Sequence, residues 1–263
     1  MNAGSTLLAP RPLSGQVALV TGAAAGIGKA AALRLAEAGA ALFLVDRDAD
    51  GLERTGALIA QAGGRAVVHA ADLSNRVAVG AVIDSAAAAL DQADILINCA
   101  GMTGPGKPLL ESDESAWDLV FAVNVTAPYL LIKRLGMHLV ARGAPGRIVN
   151  VTSSSAHRAR MSVAAYGASK SALMQLTRTA AADLGPHNIN VNAVAPGLTA
   201  TQMGTGNFPA EMVDQIIKDG PISNLLGRVS EPEDIADTVL FLCLPASRQI
   251  TGQTIHVSAG AIV

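Results

Sequence analysis

A tyrosine and a lysine stand four residues apart in the stretch YGASK, as Tyr166 and Lys170. Side chains at this spacing lie on the same face of a helix, so the lysine ammonium can approach the phenol. A positive charge within a few ångströms lowers the pKa of an acid by roughly one to three units. We therefore expect Lys170 to lower the pKa of Tyr166 and to make the phenol a usable acid and base near neutral pH.

A second group of candidate residues follows the first apolar run, in the stretch TGAAAGIG (21–28). Gly22 permits a tight exit from a strand, Gly26 lets the backbone approach a diphosphate, and Gly28 lets a helix pack closely. The first amides of that helix then point at the anion. Asp46 lies 20 residues after Gly26, where a carboxylate can accept both hydroxyls of an adenosine ribose. The pattern predicts a dinucleotide site, against the simpler interpretations of a glycine-rich turn and a helix-capping aspartate.

The elements that must position these residues alternate along the chain. Short apolar runs predict strands, and the Ala-rich segments between them have helical length and period. Because the runs are continuously apolar, the strands are expected to be parallel and covered on both faces. We predict an α/β doubly wound Rossmann fold with a seven-stranded parallel sheet flanked by helices. The predicted strands are 16–20, 41–45, 65–70, 94–98, 147–151, 189–194 and 254–257, and the predicted helices are 26–38, 50–62, 75–90, 114–141, 164–184 and 232–243.

The domain organisation is predicted to be simple. Residues 1–12 are expected to form a flexible leader, because they lack the basic head and apolar run of a signal peptide. Residues 13–263 are predicted to form a single catalytic domain. Within it, the segment from about 199 to 226 breaks the strand and helix rhythm and is too long for a plain connection, so we predict a lid there, mobile over 199–220.

Composition argues against several classes of function. The 263 residues carry a formal net charge of -2 and only 15% charged side chains, so neither nucleic acid nor an acidic membrane is an expected partner. No segment is expected to reach the unbroken apolar length of a membrane helix. Two cysteines and five dispersed histidines argue against a disulfide framework and against a metal site. We expect a cytoplasmic protein.

Five motifs in order carry a resemblance that spans Leu13 to Gly260: TGAAAGIG, NCAG, VTSSS, YGASK and VNAVAPGLTAT. In this order they resemble the short-chain dehydrogenase/reductase family. The resemblance implies a homotetrameric or homodimeric nicotinamide enzyme, of which we expect the homotetramer. It also implies four catalytic residues with distinct roles. Tyr166 would be the general acid and base, Ser153 would hydrogen-bond the substrate oxygen, Lys170 would also bind the nicotinamide ribose, and Asn124 would hold a water that links the lysine to solvent.

The resemblance further implies a set of cofactor-binding residues at the carboxyl ends of the strands. Asp46 favours NAD, because its carboxylate would repel the 2'-phosphate of NADP, although Arg47 could neutralise that phosphate. Two departures from the family pattern are Cys99 in NCAG, where a second asparagine is usual, and HVSAG in the last strand, which leaves the details of assembly open. The full set is Gly22, Gly26, Ile27, Gly28, Asp46, Arg47, Asp72, Leu73, Asn98, Ala100, Gly101, Tyr166, Lys170, Pro196, Gly197, Thr199 and Thr201.

The predicted reaction is the NAD-dependent interconversion of a small-molecule secondary alcohol and a ketone by hydride transfer. Apolar and sulfur side chains favour a partly apolar substrate, whereas the two arginines could bind a carboxylate or phosphate or simply be solvated. A 3-oxoacyl-[acyl-carrier-protein] reductase using NADPH and a non-catalytic dinucleotide sensor are the alternatives; a serine hydrolase lacks its G-x-S-x-G motif. The candidate pocket residues are Met102, Ser155, His157, Arg158, Arg160, Met161, Met203, Phe208 and Met212.

Overall fold

The structure is a computed structural model that describes residues 11–206, 208–220 and 222–263. Apart from Arg11 and Pro12, the predicted leader lies outside the described residues. From Leu13 onward the chain is docked, because the Leu13 amide donates to the Ala38 carbonyl and the Leu13 side chain is buried. The described contacts with the rest of the fold include Leu13, where the predicted domain begins.

Seven strands and eight α-helices form in the described residues, at nearly the predicted bounds. Each strand is one of the continuous apolar runs, and each of the long predicted helices is one of the Ala-rich segments. In chain order the elements are β1 Val17–Thr21, α1 Gly26–Glu37, β2 Ala41–Asp46, α2 Ala49–Gln61, β3 Ala66–Ala70, α3 Arg76–Leu90, β4 Ile95–Asn98, α4 Glu114–Phe121, α5 Ala127–Arg142, β5 Gly146–Val151, α6 Ala164–Leu184, β6 Ile189–Pro196, α7 Ala210–Asp219, α8 Pro232–Cys243 and β7 Thr254–Val257.

The strands form one parallel sheet in the order β3-β2-β1-β4-β5-β6-β7. The chain starts at the centre, builds outward to β3, and crosses back to β4 on the other side of β1. Such a reversal leaves a crevice at the carboxyl ends of β1 and β4, where doubly wound proteins bind ligands. The predicted fold is confirmed, and it places the crevice beside the TGAAAGIG stretch.

The core is divided between the two faces of the sheet. Leu42 and Leu44 point to one face, where α1, α2 and α8 pack, whereas Phe43 and Val45 point to the other, where α3, α5 and α6 pack. Alternation along one strand thus serves both cores. A strand buried on both sides is held rigidly, so the residues at its carboxyl end occupy fixed positions.

The predicted helix over 114–141 is interrupted in the structure. Residues Ala122–Thr126 form a π-helical turn, in which the Ala127 amide donates to the carbonyl of Ala122, five residues earlier. Pro128 explains the break, because it has no N–H to donate to the Asn124 carbonyl. The prediction of one uninterrupted helix is therefore wrong, and the extra residue in the turn directs Asn124 into the protein, where it is fully buried.

This same helical run, Glu114–Arg142, is long and apolar enough to cross a membrane by length and composition. Asp118, Lys133 and Arg134 interrupt the run, so the expectation that no segment is continuously apolar over the length of a membrane helix is not overturned. Its inner face, including Val120, Leu131 and Leu135, is buried against the sheet and its neighbouring helices. Packing on the core accounts for part of the apolar composition, because 33% of the most apolar stretch of this run is buried.

Candidate active site

A cavity of about 660 Å³ opens at the carboxyl ends of the strands, in the crevice between β1 and β4. Nearly all of the predicted site residues line it, although they come from segments far apart in sequence. Those that line it are Gly22, Gly26, Ile27, Gly28, Asp46, Arg47, Asp72, Leu73, Ala100, Gly101, Ser153, Tyr166, Lys170, Pro196, Gly197, Thr199 and Thr201. The two predicted residues that do not line it are Asn98 and Asn124.

The glycines of the first turn leave no room for side chains. A Cβ on Gly28 would lie 2.1 Å from the Gly22 carbonyl oxygen, and one on Gly22, where φ is +71°, would lie 2.8 Å from the Ala100 amide. The helix that follows, α1, has no side-chain cap and no acidic residue in its first turn. Its first amides are therefore available to an anion in the cavity, with the favourable end of the helix dipole behind them. This cradle fits a dinucleotide diphosphate.

Thr21 joins the two strands that flank the crevice, a role that the sequence analysis missed. Its hydroxyl accepts hydrogen bonds from the amides of Cys99 and Ala100, at 3.0 and 3.1 Å, and donates to the Ile97 carbonyl at 3.3 Å. It therefore fixes the NCAG turn against the glycine-rich turn. A hydroxyl residue at the carboxyl end of the central strand is the only sequence feature that points to this contact.

The acidic residues of the cavity cluster at one end of it. The Asp46 carboxylate accepts from the Ala24 amide at 3.2 Å and from the Asp48 amide at 3.1 Å, which holds it at the end of β2. Hydrogen bonds from Ser74 lower the pKa of Asp72, and the positive charge of Arg47 lowers it further. This end can therefore accept hydroxyl hydrogen bonds, as the ribose hypothesis requires, and it carries both signs of charge.

Asn98 faces away from the cavity. Its amide donates at 2.8 Å to Asn150 on the neighbouring strand, and Asn150 donates at 2.9 Å to Thr177 on α6. The side chain of Asn98 thus belongs to a buried polar chain that ties the sheet to α6, because the strand alternation turns it inward. The structure does not bring this side chain to the predicted cofactor site.

The predicted catalytic pair, Ser153 and Tyr166, meets at the middle of the cavity. Ser153 lies two residues after β5 and accepts a hydrogen bond from the Ser155 amide at 3.1 Å, which fixes its hydroxyl. Its hydrogen bond with the Tyr166 phenol lowers the pKa of that phenol. Lys170 lies one helical turn further along, with Nζ 5.8 Å from the centroid of the Tyr166 ring. The three side chains therefore converge as the spacing predicted.

The pKa values of Tyr166 and Lys170 are shifted by burial, and the shift at Tyr166 is opposite to the predicted one. Burial raises the pKa of Tyr166 above its ordinary value, and the opposing effects come from Ser153 and from the charge of Arg160. Burial also lowers the pKa of Lys170 to about 8, and its ammonium donates to the Val151 carbonyl at 2.8 Å. The prediction that Lys170 lowers the pKa of the phenol is wrong in this structure, because a desolvated ammonium engaged with a carbonyl is a weak partner.

Asn124 lies behind the lysine and not in the cavity. Its side-chain amide donates at 2.9 Å to the carbonyl of Met102 and to the hydroxyl of Ser169, and its oxygen accepts from the Met102 amide. A Cβ on Gly101 would lie 3.3 Å from both Asn124 Oδ1 and Lys170 Nζ, so the glycine leaves these two groups close. Ser169, which donates at 2.8 Å to the Tyr166 carbonyl, was missed by the sequence analysis.

The candidate pocket residues divide into three groups. Met102, Met203, Phe208, Arg158 and Arg160 line the cavity, together with unpredicted apolar residues that include Leu119, Val163, Leu198 and Ile222. Ser155 and His157 line a second, shallower cavity of about 320 Å³, to which both arginines also contribute. Met161 is 93% exposed and, like Met212, lines neither. In the described residues, no group of three or more metal-ligating side chains comes together.

Comparison with known proteins bears on this geometry. A family model described as enoyl-(acyl carrier protein) reductase matches residues 22–261. The "Short-chain reductase protein NovJ" of Streptomyces niveus is 39% identical over 248 residues, which are 93% of each chain. The chain belongs to the short-chain dehydrogenase/reductase family. Two further members are similar over nearly their full length. The human (3R)-3-hydroxyacyl-CoA dehydrogenase is 35% identical over 94% of this chain and 96% of its own.

The second is a solved short-chain dehydrogenase, a 7α-hydroxysteroid dehydrogenase complexed with NADH and 7-oxo glycochenodeoxycholic acid. It is 33% identical, has a TM-score of 0.89, and covers 95% of this chain and 96% of that chain. The family and reaction class predicted from the sequence are thus confirmed. The present protein is therefore an oxidoreductase that acts on a CH–OH group. It interconverts a secondary alcohol and a ketone with a nicotinamide dinucleotide.

Proposed function

We propose that the enzyme prefers NAD(H) and uses Tyr166 as its general acid and base. The proposal rests on one observation: the glycine-rich diphosphate cradle and the Ser153–Tyr166 pair line the same cavity. A nicotinamide dinucleotide, when bound, accepts or donates the hydride. The residues that line the cavity bind the substrate, orient it and move the proton.

Tyr166 moves the proton at its phenolic oxygen. In ketone reduction a phenol with a raised pKa keeps its proton until the substrate oxygen becomes basic enough to take it. Ser153, held by the Ser155 amide, donates a hydrogen bond to the same substrate oxygen and keeps it at the phenol. In alcohol oxidation the phenolate accepts the proton, and the hydrogen bond from Ser153 and the charge of Arg160 favour that form.

Lys170 would hold the nicotinamide ribose. With a pKa of about 8, its amine changes charge close to working pH, so it can also relay a proton. Asn124 fixes the backbone at Met102 through two hydrogen bonds, which supports the floor of the cavity beside the lysine. We retain as a proposal that Asn124 also positions a water between Lys170 and solvent.

The proposed preference for NAD rests on Asp46. Its carboxylate is fixed by two backbone amides and lies where a ribose would be bound, so a 2'-phosphate there would meet a negative charge. Arg47 lines the same end, but its charge acts on Asp72, whose pKa it lowers. An exposed ion pair contributes roughly 0 to 1 kcal/mol, whereas a hydrogen bond to a charged acceptor contributes about 1.5 to 3 kcal/mol. The aspartate should therefore decide the preference.

Two alternatives remain weaker. A 3-oxoacyl-[acyl-carrier-protein] reductase is expected to prefer NADPH, which conflicts with Asp46, and the matching family model is described by a different reaction, that of an enoyl-(acyl carrier protein) reductase. A non-catalytic sensor would not need Ser153, Tyr166 and Lys170 to converge on one cavity. A cytoplasmic location and a homotetramer stay predictions; the exposed apolar side chains Met137 and Tyr129 on α5 support some form of assembly.

The experiment is a panel of secondary alcohols and ketones, assayed by NADH and NADPH absorbance at matched concentrations. We include polyols, steroids, aryl alcohols and acyl thioesters. The proposal requires turnover of at least one class, with kcat/KM at least tenfold higher for NAD(H). Equal use of NADPH would contradict the role of Asp46 and would raise the carrier-protein reductase to first place.

A further inference from the structure

The two ends of the cavity differ in charge. Both carboxylates that line it, Asp46 and Asp72, lie at the ribose end, and Arg47 is there to balance them. Among the described residues at the other end, the ionic side chains in the lining are Arg158, Arg160 and the buried Lys170. The substrate end is therefore apolar and positively charged, and the described lining offers no acidic side chain to neutralise it.

Of the two loop arginines, Arg158 is occupied. Its guanidinium donates at 3.1 Å to the Ala261 carbonyl and at 3.4 Å to the Ser223 carbonyl. It thereby ties the loop after Ser153 to two later segments of the chain. These contacts assign Arg158 a positioning role and leave its neighbour as the candidate for a ligand.

Arg160 makes no hydrogen bond or ion pair with the described residues, and its side chain is exposed. Its charge nevertheless lowers the pKa of the Tyr166 phenol, so it stands within electrostatic range of the reacting oxygen. Arg160 lines both the main cavity and the shallower cavity next to it.

The shallower cavity has three features that suit an anion. Ser155 lines it and is only 7% exposed, yet its hydroxyl has no hydrogen-bond partner in the described structure. The 21-residue helix α6 begins at its wall, with no side-chain cap at Val163 and no acidic residue in the first turn. Its lining includes His157 and both arginines, and no acidic side chain. A buried hydroxyl and free helix amides beside a guanidinium are the donors that an oxyanion needs.

We propose that the substrate carries a carboxylate, which binds to Arg160 at the junction of the two cavities while its ketone or alcohol is held at Ser153 and Tyr166. The inference rests on the proposed function. One unpaired guanidinium balances one negative charge, which favours a monoanionic carboxylate over a phosphate. The apolar side chains of Met203, Phe208 and Ile222 would contact the body of the substrate between its two polar ends.

The test uses matched substrates that differ only in charge. Methyl-ketone acids of six to ten carbons and their methyl esters are compared in the NADH assay. We expect the best acid to exceed its ester in kcat/KM by about tenfold to a hundredfold, the range for a hydrogen bond to a charged group. Arg160→Gln should lower this acid-to-ester ratio at least tenfold, mainly through KM, and Arg160→Lys should restore part of it.

Lys107→Gln is the matched control. Lys107 follows Gly106 on the cavity lip and is paired with Asp113 at 3.0 Å, so its loss changes net charge equally. It should leave the acid-to-ester ratio within twofold. A ratio near one in the wild type, or an equal loss for acid and ester in Arg160→Gln, would overturn the proposal.

A second measurement separates this inference from the proposed reaction. Decanoate is titrated into the enzyme with NADH by calorimetry, with wild type and Arg160→Gln compared. Binding that weakens at least tenfold in the variant supports the carboxylate site even if no ketone in the series reacts. Equal binding in both proteins, or none, contradicts it whatever the reductase assay shows.

Discussion

The two ends of the active-site cavity are built in different ways. The ribose and diphosphate end consists of strand ends and one helix start, where a Cβ on Gly28 would come within 2.1 Å of a carbonyl. The substrate end consists largely of the loop after Ser153 and the segment after Pro196, where Met203 is 50% and Phe208 is 40% exposed. The shape of the diphosphate end is fixed by close packing, whereas the shape of the substrate end is determined by partly exposed loop side chains.

This difference separates what must stay constant from what can vary. A dinucleotide presents the same diphosphate and ribose to every enzyme that uses it, so the turn that binds them gains from a rigid sheet edge. A substrate pocket made of loop side chains can change without disturbing the strands. Tyr166 and Lys170 stand at the boundary, on a helix that packs against the sheet and opens toward the loops.

Replacing Tyr166 by Phe should have the largest effect on activity, because it removes the phenolic proton at the boundary between the two ends and leaves the aromatic ring. We expect kcat to fall about a thousandfold, within the range for general acid and base catalysis, with the Kd of NADH changed less than threefold. Steady-state assays and NADH fluorescence titration measure both. Tyr129→Phe, on the outer face of α5, is the control and should leave both within twofold. Activity of Tyr166→Phe within tenfold of wild type would remove the phenol from the mechanism.

Gly28→Ala tests the rigidity of the diphosphate end. The added methyl group would collide with the Gly22 carbonyl, so α1 must shift away from the turn. We expect a loss of about 1 to 3 kcal/mol in the free energy of unfolding and at least tenfold weaker NADH binding. Denaturant unfolding and calorimetry measure these. Gly185→Ala, whose methyl group meets nothing within 4 Å, should change neither; a Gly28→Ala enzyme that binds NADH normally would show that this end is not tightly packed.

Asp46→Ala probes charge at the same end. Without the carboxylate, a 2'-phosphate meets only Arg47, so the NAD-to-NADP ratio of kcat/KM should fall at least tenfold and can invert. Asp48→Ala is the matched control two residues away. Asp48 caps α2 by accepting from the Gly51 amide at 3.0 Å, so its loss should lower stability by about 1 kcal/mol without changing the ratio. Equal ratios in wild type and Asp46→Ala would show that another group selects the cofactor.

The lid prediction concerns the substrate end. Described parts of residues 199–220 line the cavity at Thr201, Met203 and Phe208, and Val213 and Ile217 anchor α7 in the protein. We expect hydrogen exchange in this segment to slow about tenfold when NADH is bound, while the strands stay equally protected. Equal protection in the free enzyme would mean that this end is as rigid as the other.

The sequence was most informative where packing repeats a simple rule. Continuous apolar runs such as 41–45 can only be covered on both faces, so the strands and the sheet followed from them. The glycines at 22 and 28 have no room for a side chain, which is why their spacing predicted the turn. Gly28 meets a neighbour in its own βαβ unit, whereas the neighbour of Gly22 is Ala100, after β4.

The wrong predictions concern properties that depend on distances and burial in the folded protein. The spacing of Tyr166 and Lys170 gives a shared helix face, but it says nothing about the 5.8 Å to the ring or about burial, which dominates both pKa values. The π-turn around Asn124 was missed, although Pro128 four residues later was a usable sign that the helix ladder breaks there. The effect of Arg160 on the phenol depends on a loop whose path no local pattern encodes.

Lys170→Met should have the smallest effect on stability, and the sign of that effect is informative. Lys170 is 4% exposed and its pKa is lowered to about 8, so the folded protein disfavours the ammonium. At pH 7 lysine is charged in both states, and the folded enzyme bears this cost. Between pH 8 and about 10.4 the unfolded chain binds more protons, so wild-type stability from this group rises with pH.

Methionine at position 170 removes the charge at similar length but loses the hydrogen bond to the Val151 carbonyl. We therefore expect an inactive apoenzyme that is about 1 kcal/mol more stable at pH 7, a Tm increase of roughly 2 to 4 °C, and an advantage that shrinks by pH 10. Scanning calorimetry at both pH values measures it, with the exposed Lys107→Met as control. A lower Tm at pH 7 would show that the lysine stabilises the boundary between the two ends.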